Sequence, residues 1–366
     1  MSQVSNILKR DNQLFFNDLD MEVNVSDNSS DINLIADFTE YNPLHNGHFH
    51  CMKTAKYQFP ESLFVAIVPG LFERSGRGIP YILPREIRAE IAISVGADIV
   101  VEGPPMGIMG SGQYSLSLAK MFKSLNTDYI PRGYKPFDGF EEILRRINLG
   151  HHIAPKPYKI VDKTDNEILL RDKLEEDNYV IASFSNSLSK IKFDYTSKFI
   201  FVERIEGVSG TLIRQSIMDN CFDDVVDMMP PKTIEVLKRE IANDGIIFGI
   251  RDEECILDTA NSFDLTQLSS LNLFDEKLAQ KLIDNRPFSD LNQVKNSISR
   301  GFSTHFNERV LSILENPIKK SDISKYIEKY PSVIRVLGYK NKECLEKFKE
   351  KVNNENISLF NGLKDY

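Results

Sequence analysis

Residues 32–57 restrict the possible folds more than any other part of this sequence. They open with the apolar run 32–38, which has the length and continuity of a parallel strand buried on both faces. Asn42-Pro43 ends the run, because proline cannot continue a strand and biases its predecessor away from helix. A helical pattern begins at His45. The stretch therefore predicts a strand, a tight turn and a helix N-terminus, whose free N–H groups and partial positive charge suit a phosphate.

The same alternation continues along the chain. Further strands are predicted at 63–68, 98–101, 127–131, 179–184 and 199–202, helices at 84–95 and 114–125, and a loop or short β excursion at 153–176. Strands alternating with helices indicate βαβ units and a Rossmann-like parallel sheet, whose ligands bind at the carboxyl ends of the strands. One rim of the sheet should therefore gather His45 and His48, the loops 72–74 and 107–112, and Arg132-Gly133.

Three regions differ in composition. Residues 1–31 are polar and predict a flexible N-terminal segment, residues 32–218 carry the α/β pattern, and residues 219–366 predict a mainly helical C-terminal domain. Within the last region, 331–348 contain an apolar IRVLG element that is predicted to be structural. The helical spacing of 281–294 is similar to helix-hairpin-helix nucleic-acid modules, but the turn 272–275 lacks their glycine, so simple helical packing is the alternative.

Charge and cysteine content exclude several classes of protein. The formal net charge of −8 argues against a generally basic nucleic-acid binder, although 17 Lys and Arg face 14 Asp and Glu from Ser262 onward, which permits RNA contact there. Cys51, Cys221, Cys255 and Cys344 form no CxxC pair, so neither a disulfide framework nor a metal knuckle is expected. Without a secretory signal or a long apolar run, the chain is predicted to be cytoplasmic, with no membrane partner.

The His45-Asn46-Gly47-His48 string places two imidazoles on one helical face, where both can reach the same phosphate. Gly47 lets a ligand approach the backbone closely. Taken alone, the string could be a capping turn with two surface histidines. It resembles, however, the HxGH signature of the nucleotidyltransferase and class I aminoacyl-tRNA synthetase superfamily, and the longer string at 40–48, EYNPLHNGH, closely resembles the bacterial tRNA(Met) cytidine acetate ligase family.

A second stretch, 204–217, strengthens the resemblance. Ser209 and Thr211 can cap a helix whose first turn carries Arg214, and the stretch is similar to the S-x-T-x-I-R signature of many nucleotidyltransferase domains. A helix N-terminus with a guanidinium suits a polyphosphate. An ordinary capped helix is the alternative for this stretch alone. Together the motifs predict that His45, His48 and Arg214 contact the phosphates of one ATP and act as the catalytic residues.

The resemblance implies a reaction and its ligands. Members of the ligase family use ATP to activate acetate as acetyl-adenylate and then acetylate a tRNA cytidine, so ATP, Mg²⁺ bound to the triphosphate, tRNA, and acetate or another small carboxylate are expected here, with no metal held by a protein cage and no DNA partner. The fold implied is a nucleotidyltransferase-type sheet with a helical C-terminal domain. The residues implied to contact the nucleotide are Phe38, Thr39, Glu40, Tyr41, Asn42, Pro43, Leu44, Asn46, Gly47, Phe49, His50, Cys51, Gly133, Asn186, Arg204, Ser209 and Thr211.

Three departures from the family pattern leave alternatives open. The loop after the second strand, Gly70 to Gly76, differs from the family's loop, and residues 131–134 replace an FGSE segment. The family carries a basic helix associated with tRNA at 300–314, and of its expected basic residues this sequence retains Arg309. A small-molecule adenylyl- or cytidylyltransferase, which needs no RNA surface, is the second hypothesis. A non-catalytic RNA-binding relative that keeps the fold is the third.

Overall fold

The computed structural model of the protein describes residues 3–24, 30–247, 250–299 and 304–360. Its strands are β1 Leu34–Phe38, β2 Leu63–Pro69, β3 Ile99–Gly103, β4 Ile130–Tyr134, β5 Ile153–Lys156, β6 Lys159–Asp162, β7 Glu167–Leu170, β8 Phe199–Glu203, β9 Ile334–Tyr339 and β10 Ile357–Leu359. Its helices are α1 Gln3–Asp20, α2 Asn46–Gln58, α3 Arg85–Val95, α4 Ser111–Ser124, α5 Phe140–Asn148, α6 Glu176–Lys190, α7 Gly210–Met218, α8 Pro231–Ala242, α9 Glu253–Ser262, α10 Leu265–Ser270, α11 Glu276–Asp284, α12 Leu291–Ile298, α13 Thr304–Glu315, α14 Lys320–Lys329 and α15 Lys342–Lys351.

A mostly parallel sheet forms the centre of the molecule. Strands β1, β2 and β3 pair in parallel, β9 joins β3 in the antiparallel direction, and β10 pairs with β9. On the opposite edge, the parallel pair β4–β8 continues the sheet through a bridge between Ile35 and Tyr129 and a hydrogen bond from Ala36 N to Tyr129 O. Alternate residues of β1 enter different cores, with Leu34 in one apolar cluster and Ile35 in the other, because successive strand residues face opposite sides. The predicted Rossmann-like sheet is confirmed.

Residues 179–184, predicted as a strand, lie instead within α6. The apolar run is short enough to fit either structure, and burial decides between them: Ile181, Phe184 and Leu188 are buried at helical spacing, whereas Tyr179 and Val180 are exposed. The polar segment before α6 forms the antiparallel meander β5–β6–β7, which agrees with the predicted β excursion.

The N-terminal segment is not the predicted flexible lead-in over its first part, because residues 3–20 form α1. Its apolar residues follow a helical stripe that the polar composition concealed, and Phe15 is fully buried and stacks on Tyr326 with ring centroids 4.9 Å apart. Asp11 is also fully buried and binds the Arg85 guanidinium through both oxygens, at 2.7 and 2.8 Å. The remainder of the predicted flexible segment includes residues 25–29, which lie outside the described residues.

The C-terminal region is mainly helical, as predicted, but it also completes the sheet. The IRVLG element is the core of β9, whose residues are all buried, and Val100 of β3 stands opposite Gly338 in the register. Region 219–366 therefore shares the core of the α/β region and is not a separate layer. Asp275 caps α11 by accepting a hydrogen bond from Leu278 N, in place of the glycine turn of a helix-hairpin-helix module. Within the part of the chain that the structure describes, no helix combines the length and apolarity needed to cross a membrane.

Candidate functional site

A cleft of about 1360 Å³ opens at the carboxyl ends of β1, β4 and β8. The first turns of α2 and α7 border it, together with the loop after β2 and helix α13 from the C-terminal region. Pockets for one small ligand commonly enclose about 300–1,000 Å³, so this cleft has room for a nucleotide and a second substrate. Its position agrees with the rim predicted from the strand order, except that the loop 72–74 is buried and does not line the cleft.

The histidine pair occupies the start of α2. His45 is the N-cap residue, and its Nδ1 accepts a hydrogen bond from Gly47 N at 3.2 Å. His48 Nδ1 accepts from His45 N at 3.3 Å, and the two rings stack with centroids 3.7 Å apart. Because each Nδ1 acts as an acceptor, the proton of each neutral ring lies on Nε2. The helix start thus holds two imidazoles whose N–H groups are directed away from the capping hydrogen bonds.

Both imidazoles are neutral at physiological pH. Burial, the largest cause, and the guanidinium groups of Arg204 and Arg214 together lower the pKa of His45 to about 4. Burial is also the main cause that brings the pKa of His48 well below its usual value, with contributions from His45 and Arg204. A polyanion placed between these groups would compensate the positive field that keeps the rings unprotonated.

Arg214 reaches the same point from α7. Ser209 caps this helix by accepting from Leu212 N at 3.2 Å, as predicted. Arg214 Nη1 donates to Asn42 O at 2.9 Å, while Nη2 donates to Thr211 Oγ1 at 3.0 Å. A Cβ placed on Gly210 would lie 3.3 Å from Arg214 Nη1 and 3.4 Å from His45 Cδ2. The guanidinium, the imidazole and the N-terminus of α7 therefore meet at one place, on the same side of the sheet.

Ion pairs cross the mouth of the cleft beside this cluster. Three consecutive acidic residues at the start of α6 each pair with a cation from another element: Arg204 binds Asp177, Arg77 binds Glu176 at 2.7 Å, and Lys135 binds Glu175 at 3.0 Å. Such exposed pairs contribute only about 0–1 kcal/mol each, so an entering ligand can exchange them for its own contacts.

Buried titratable groups form the floor of the cleft. Arg132 Nη1 donates to Phe38 O at 2.7 Å and lies 3.7 Å from Asp37, whose pKa burial raises to about 6. Burial also raises the pKa of the Cys51 thiol, which makes it a poor nucleophile. Glu40 accepts from Gly76 N at 2.7 Å, and burial raises the pKa of its carboxyl.

Most of the residues that the sequence predicted for this site line the cleft. The cleft-lining members are Phe38, Thr39, Glu40, Tyr41, Asn42, Pro43, His45, Gly47, His48, His50, Cys51, Gly133, Arg204, Ser209, Thr211 and Arg214. Their contact with a nucleotide remains a proposal. Lining residues that the sequence reasoning did not assign to the site include Asp37, Arg77, Tyr114 and Arg309. The sequence signals available were the loop after β2 for Arg77 and the helix that carries Arg309, whereas Asp37 and Tyr114 lie within β1 and α4.

Four predicted site residues do not line the cleft. Leu44 is fully buried in an apolar core, and Phe49 packs against the same core. Asn46 turns outward, and its Nδ2 donates to Asp227 O at 2.8 Å. Asn186 was placed in the site by the family resemblance, but it lies in α6, where its Oδ1 accepts from His152 Nε2 at 2.8 Å. Only one face of α2 and one face of α6 line the cleft, and Asn46, Phe49 and Asn186 lie on other faces of these helices.

The fold and this arrangement define a class, the Rossmann-like nucleotide-binding α/β proteins that carry an HxGH turn. Within that class, the chain belongs to the HIGH nucleotidyltransferase family: residues 33–130 match the sequence profile described as HIGH Nucleotidyl Transferase, and residues 135–338 match that of the Cytidyltransferase-related C-terminal region. The two matches together extend over the sheet and most of the helical region.

Known relatives cover most of the chain. An uncharacterized protein of Methanocaldococcus jannaschii is 48% identical over 313 residues, which are 84% of this chain and 85% of that protein. The tRNA(Met) cytidine acetate ligase of Caldanaerobacter subterraneus subsp. tengcongensis is 27% identical over 361 residues, 85% of each chain. The crystal structure of Thermotoga maritima TmcAL bound with alpha-thio ATP superposes with a TM-score of 0.69 at 18% identity, covering 87% of this chain and 83% of that one. At this identity the superposition shows a shared fold.

Proposed function

We propose that the protein is an ATP-dependent ligase that activates acetate, or a similar small carboxylate, as an acyl-adenylate and transfers the acyl group to a cytidine of tRNA. The observation that carries this proposal is the meeting of His45, His48 and Arg214 around one cleft, at the N-termini of two helices. The tRNA(Met) cytidine acetate ligases among the relatives support the choice of substrates.

In the first step the protein forms no covalent bond, and its main task is to stabilise the negative charge that builds up on the phosphate oxygens. A carboxylate oxygen attacks the α-phosphorus of ATP, the bond to the bridging oxygen breaks, and pyrophosphate leaves with the electron pair. The Nε2–H groups of His45 and His48 and the guanidinium of Arg214 are preorganised donors for the oxygens on which negative charge accumulates. In the second step the cytidine amino nitrogen attacks the acyl carbon, AMP leaves, and the nitrogen loses a proton to solvent.

The cleft offers no obvious protein cage for Mg²⁺ among the described residues. The acidic groups at its mouth, Glu175, Glu176 and Asp177, are each engaged by a cation. The described residues bring three metal-ligating side chains together at His151, Asp162 and Asp165, outside the cleft lining, and Arg146 Nη1 already binds both carboxylates at 3.0 and 2.7 Å. We propose that Mg²⁺ would enter with the triphosphate, where it would supply neutralisation of phosphate charge.

A second candidate is a small-molecule adenylyl- or cytidylyltransferase, in which a phosphate monoester replaces the carboxylate as nucleophile. Two observations favour it. One is the profile match described as cytidyltransferase-related. The other is the burial of Arg309, the basic residue retained from the expected tRNA-contacting helix, which is only 7% exposed. The same histidine and arginine cluster would serve this reaction, so the nucleophile alone separates the two candidates.

Isotope exchange between pyrophosphate and the nucleotide tests the proposal. We expect exchange with ATP that depends on acetate or propionate, and acylated cytidine after tRNA is added. Exchange that requires CTP or a phosphomonoester and ignores carboxylates would establish the second candidate instead. Retention of tRNA in a mobility-shift assay without exchange under any condition would support the non-catalytic RNA-binding relative.

A further inference from the structure

The cleft extends beyond the histidine and arginine cluster into a second lobe, which we define by Gly76, Met106, Ser111, Tyr114 and Arg309. Helix α13 of the C-terminal region supplies Arg309, and α4 supplies Ser111 and Tyr114. The family resemblance placed Arg309 on a helix expected to contact tRNA at the surface. In the structure it is buried at the wall of the cleft, with 7% of the residue exposed.

Arg309 carries a buried charge for which the described part of the chain provides no carboxylate within ion-pair distance. Its Nε has no hydrogen-bond partner there, and its Nη1 makes two long contacts, both 3.4 Å, to Gly76 O and Ser111 Oγ. Arg74, buried in the same region, is by contrast satisfied by both oxygens of Glu315, at 2.9 and 2.6 Å. Burying an uncompensated guanidinium is costly, and the cost is recovered when an anion binds it.

A second positive feature faces the same space. The N-cap of α4 is Gly110, which has no side chain to accept from the first turn, and Gln113 Oε1 accepts from Gly110 N and from Asn272 Nδ2. The first N–H groups of a helix have no acceptor within it and carry the positive end of the helix dipole. Ser111, the first residue of α4, lines the cleft, so this helix terminus borders the same space as Arg309.

We propose that the second lobe binds the carboxylate of a small monocarboxylic acid, with Arg309 and the first turn of α4 as its anion-binding elements. This inference rests on the proposed function, because it identifies the lobe as the place from which the carboxylate attacks ATP. One guanidinium and one helix terminus match a single negative charge. The buried side chains of Met106 and Leu118, which also line the cleft, suit a short apolar acyl tail.

The lobe is connected to the phosphate side of the cleft through a single residue, Gly76. Gly76 N donates to Glu40 at 2.7 Å, and Gly76 O accepts from Arg309. Glu40 interacts electrostatically with Tyr114 and also with Arg214. Two residues further on, Gly78 adopts a φ of +80°, and a Cβ there would lie 2.3 Å from Arg309 N. Close packing of this loop on the α13 backbone therefore sets the position of Arg309 relative to the nucleotide.

The variant R309Q tests the assignment, with K295Q as its control. Lys295 is exposed, pairs with Glu308 next to Arg309 and does not line the cleft. Loss of a charged hydrogen bond should raise the KM for acetate by about tenfold to a hundredfold in R309Q, because such bonds contribute about 1.5–3 kcal/mol. The KM for ATP should stay within about twofold by the same reasoning, since no ATP contact is removed, and K295Q should match the wild type. Thermal unfolding establishes that both variants fold.

The outcomes separate this proposal from the proposed function. If the wild type shows no exchange, its melting temperature in acetate, propionate and chloride at equal ionic strength still reports binding. A rise in the two carboxylates that is absent in R309Q supports carboxylate binding in the lobe, although the ligase reaction fails. An unchanged acetate KM in a folded R309Q, or equal melting temperatures in all three salts, overturns the assignment. A loss of tRNA retention in R309Q with an unchanged acetate response would assign Arg309 to an RNA phosphate and also overturn it.

Discussion

The rings of His45 and His48 lie parallel within 14°, with centroids 3.7 Å apart, although both side chains sit in a field that opposes their protonation. Two imidazolium ions at this separation would repel each other strongly. The stack is thus stable only while the rings are neutral or a bound anion compensates their charge.

Nucleotide binding should therefore take up protons. The pKa of His45 in the free protein is about 4, and a polyphosphate beside it raises that value because it favours the charged form. Calorimetric titration with an ATP analogue at pH 6, in buffers of different ionisation enthalpy, should show proton uptake that shrinks as the pH is raised toward 8. A binding enthalpy that does not depend on the buffer would contradict this role of the imidazoles.

Two substitutions in one turn of α2 distinguish the role of a side chain that lines the cleft from that of a side chain that faces away from it. H48A should lower the exchange rate by about a hundredfold to a thousandfold, the effect of removing one preorganised donor to a developing anion. N46A should stay within about threefold of the wild type, because its side chain bonds Asp227 O outside the cleft, and lost surface contacts are small. Equal losses in both variants would mean that the turn acts only by its folding.

Docking of α1 should contribute strongly to stability. D11A removes the carboxylate that binds the fully buried Arg85 through two oxygens, and it also removes the acceptor of Phe72 N. Because Glu73 and Glu102 still contact Arg85, we expect a loss of about 3 kcal/mol, the lower end of the cost of breaking a buried pair. The matched change E86Q removes the partly exposed pair between Arg10 and Glu86 and should cost about 1 kcal/mol or less. Urea unfolding measures both free energies, and similar small losses would show that α1 is dispensable.

Asp37 should impose a pH dependence of a definite sign on stability. Its pKa is about 6 in the folded protein against an ordinary 3.8, so between these values the folded state binds more protons than the unfolded state. Stability from this group falls as the pH rises through the window, by up to about 3 kcal/mol. His45 acts in the opposite direction between about 4 and 6.5. D37N should therefore gain stability more steeply than the wild type from pH 4 to 6.5, and parallel curves would refute the assignment.

The parallel strands and most of the residues that line the cleft could be predicted from the sequence because their signals are local. Strands buried on both faces appear as continuous apolar runs. His45 and Ser209, which cap α2 and α7, stand directly before the helices that they cap. The structure confirms the sheet of β1 to β4 with β8, and it brings Arg214 to His45 as the paired motifs indicated.

The missed features depend on contacts distant in sequence. An apolar run of six residues cannot distinguish a strand from α6, so residues 179–184 were predicted in the wrong structure. The polar composition around α1 concealed a stripe whose partners, Phe72 and Tyr326, lie far along the chain. Arg309 was recognised only as a basic residue, because nothing local shows that the loop at Gly78 buries it.

The pairing of β9 with β3 has a consequence for how the protein can be made or divided. The last sheet partner of β3 is encoded some 230 residues after it, so a nascent chain must wait until nearly all of it has emerged before that side of the sheet is covered. A fragment ending at residue 218, where the sequence pattern changes, would leave β3 with an unpaired apolar edge, which invites aggregation. The fragment ending at residue 218 should be obtained as folded protein only when residues 334–339 are supplied, by fusion or as a separate peptide.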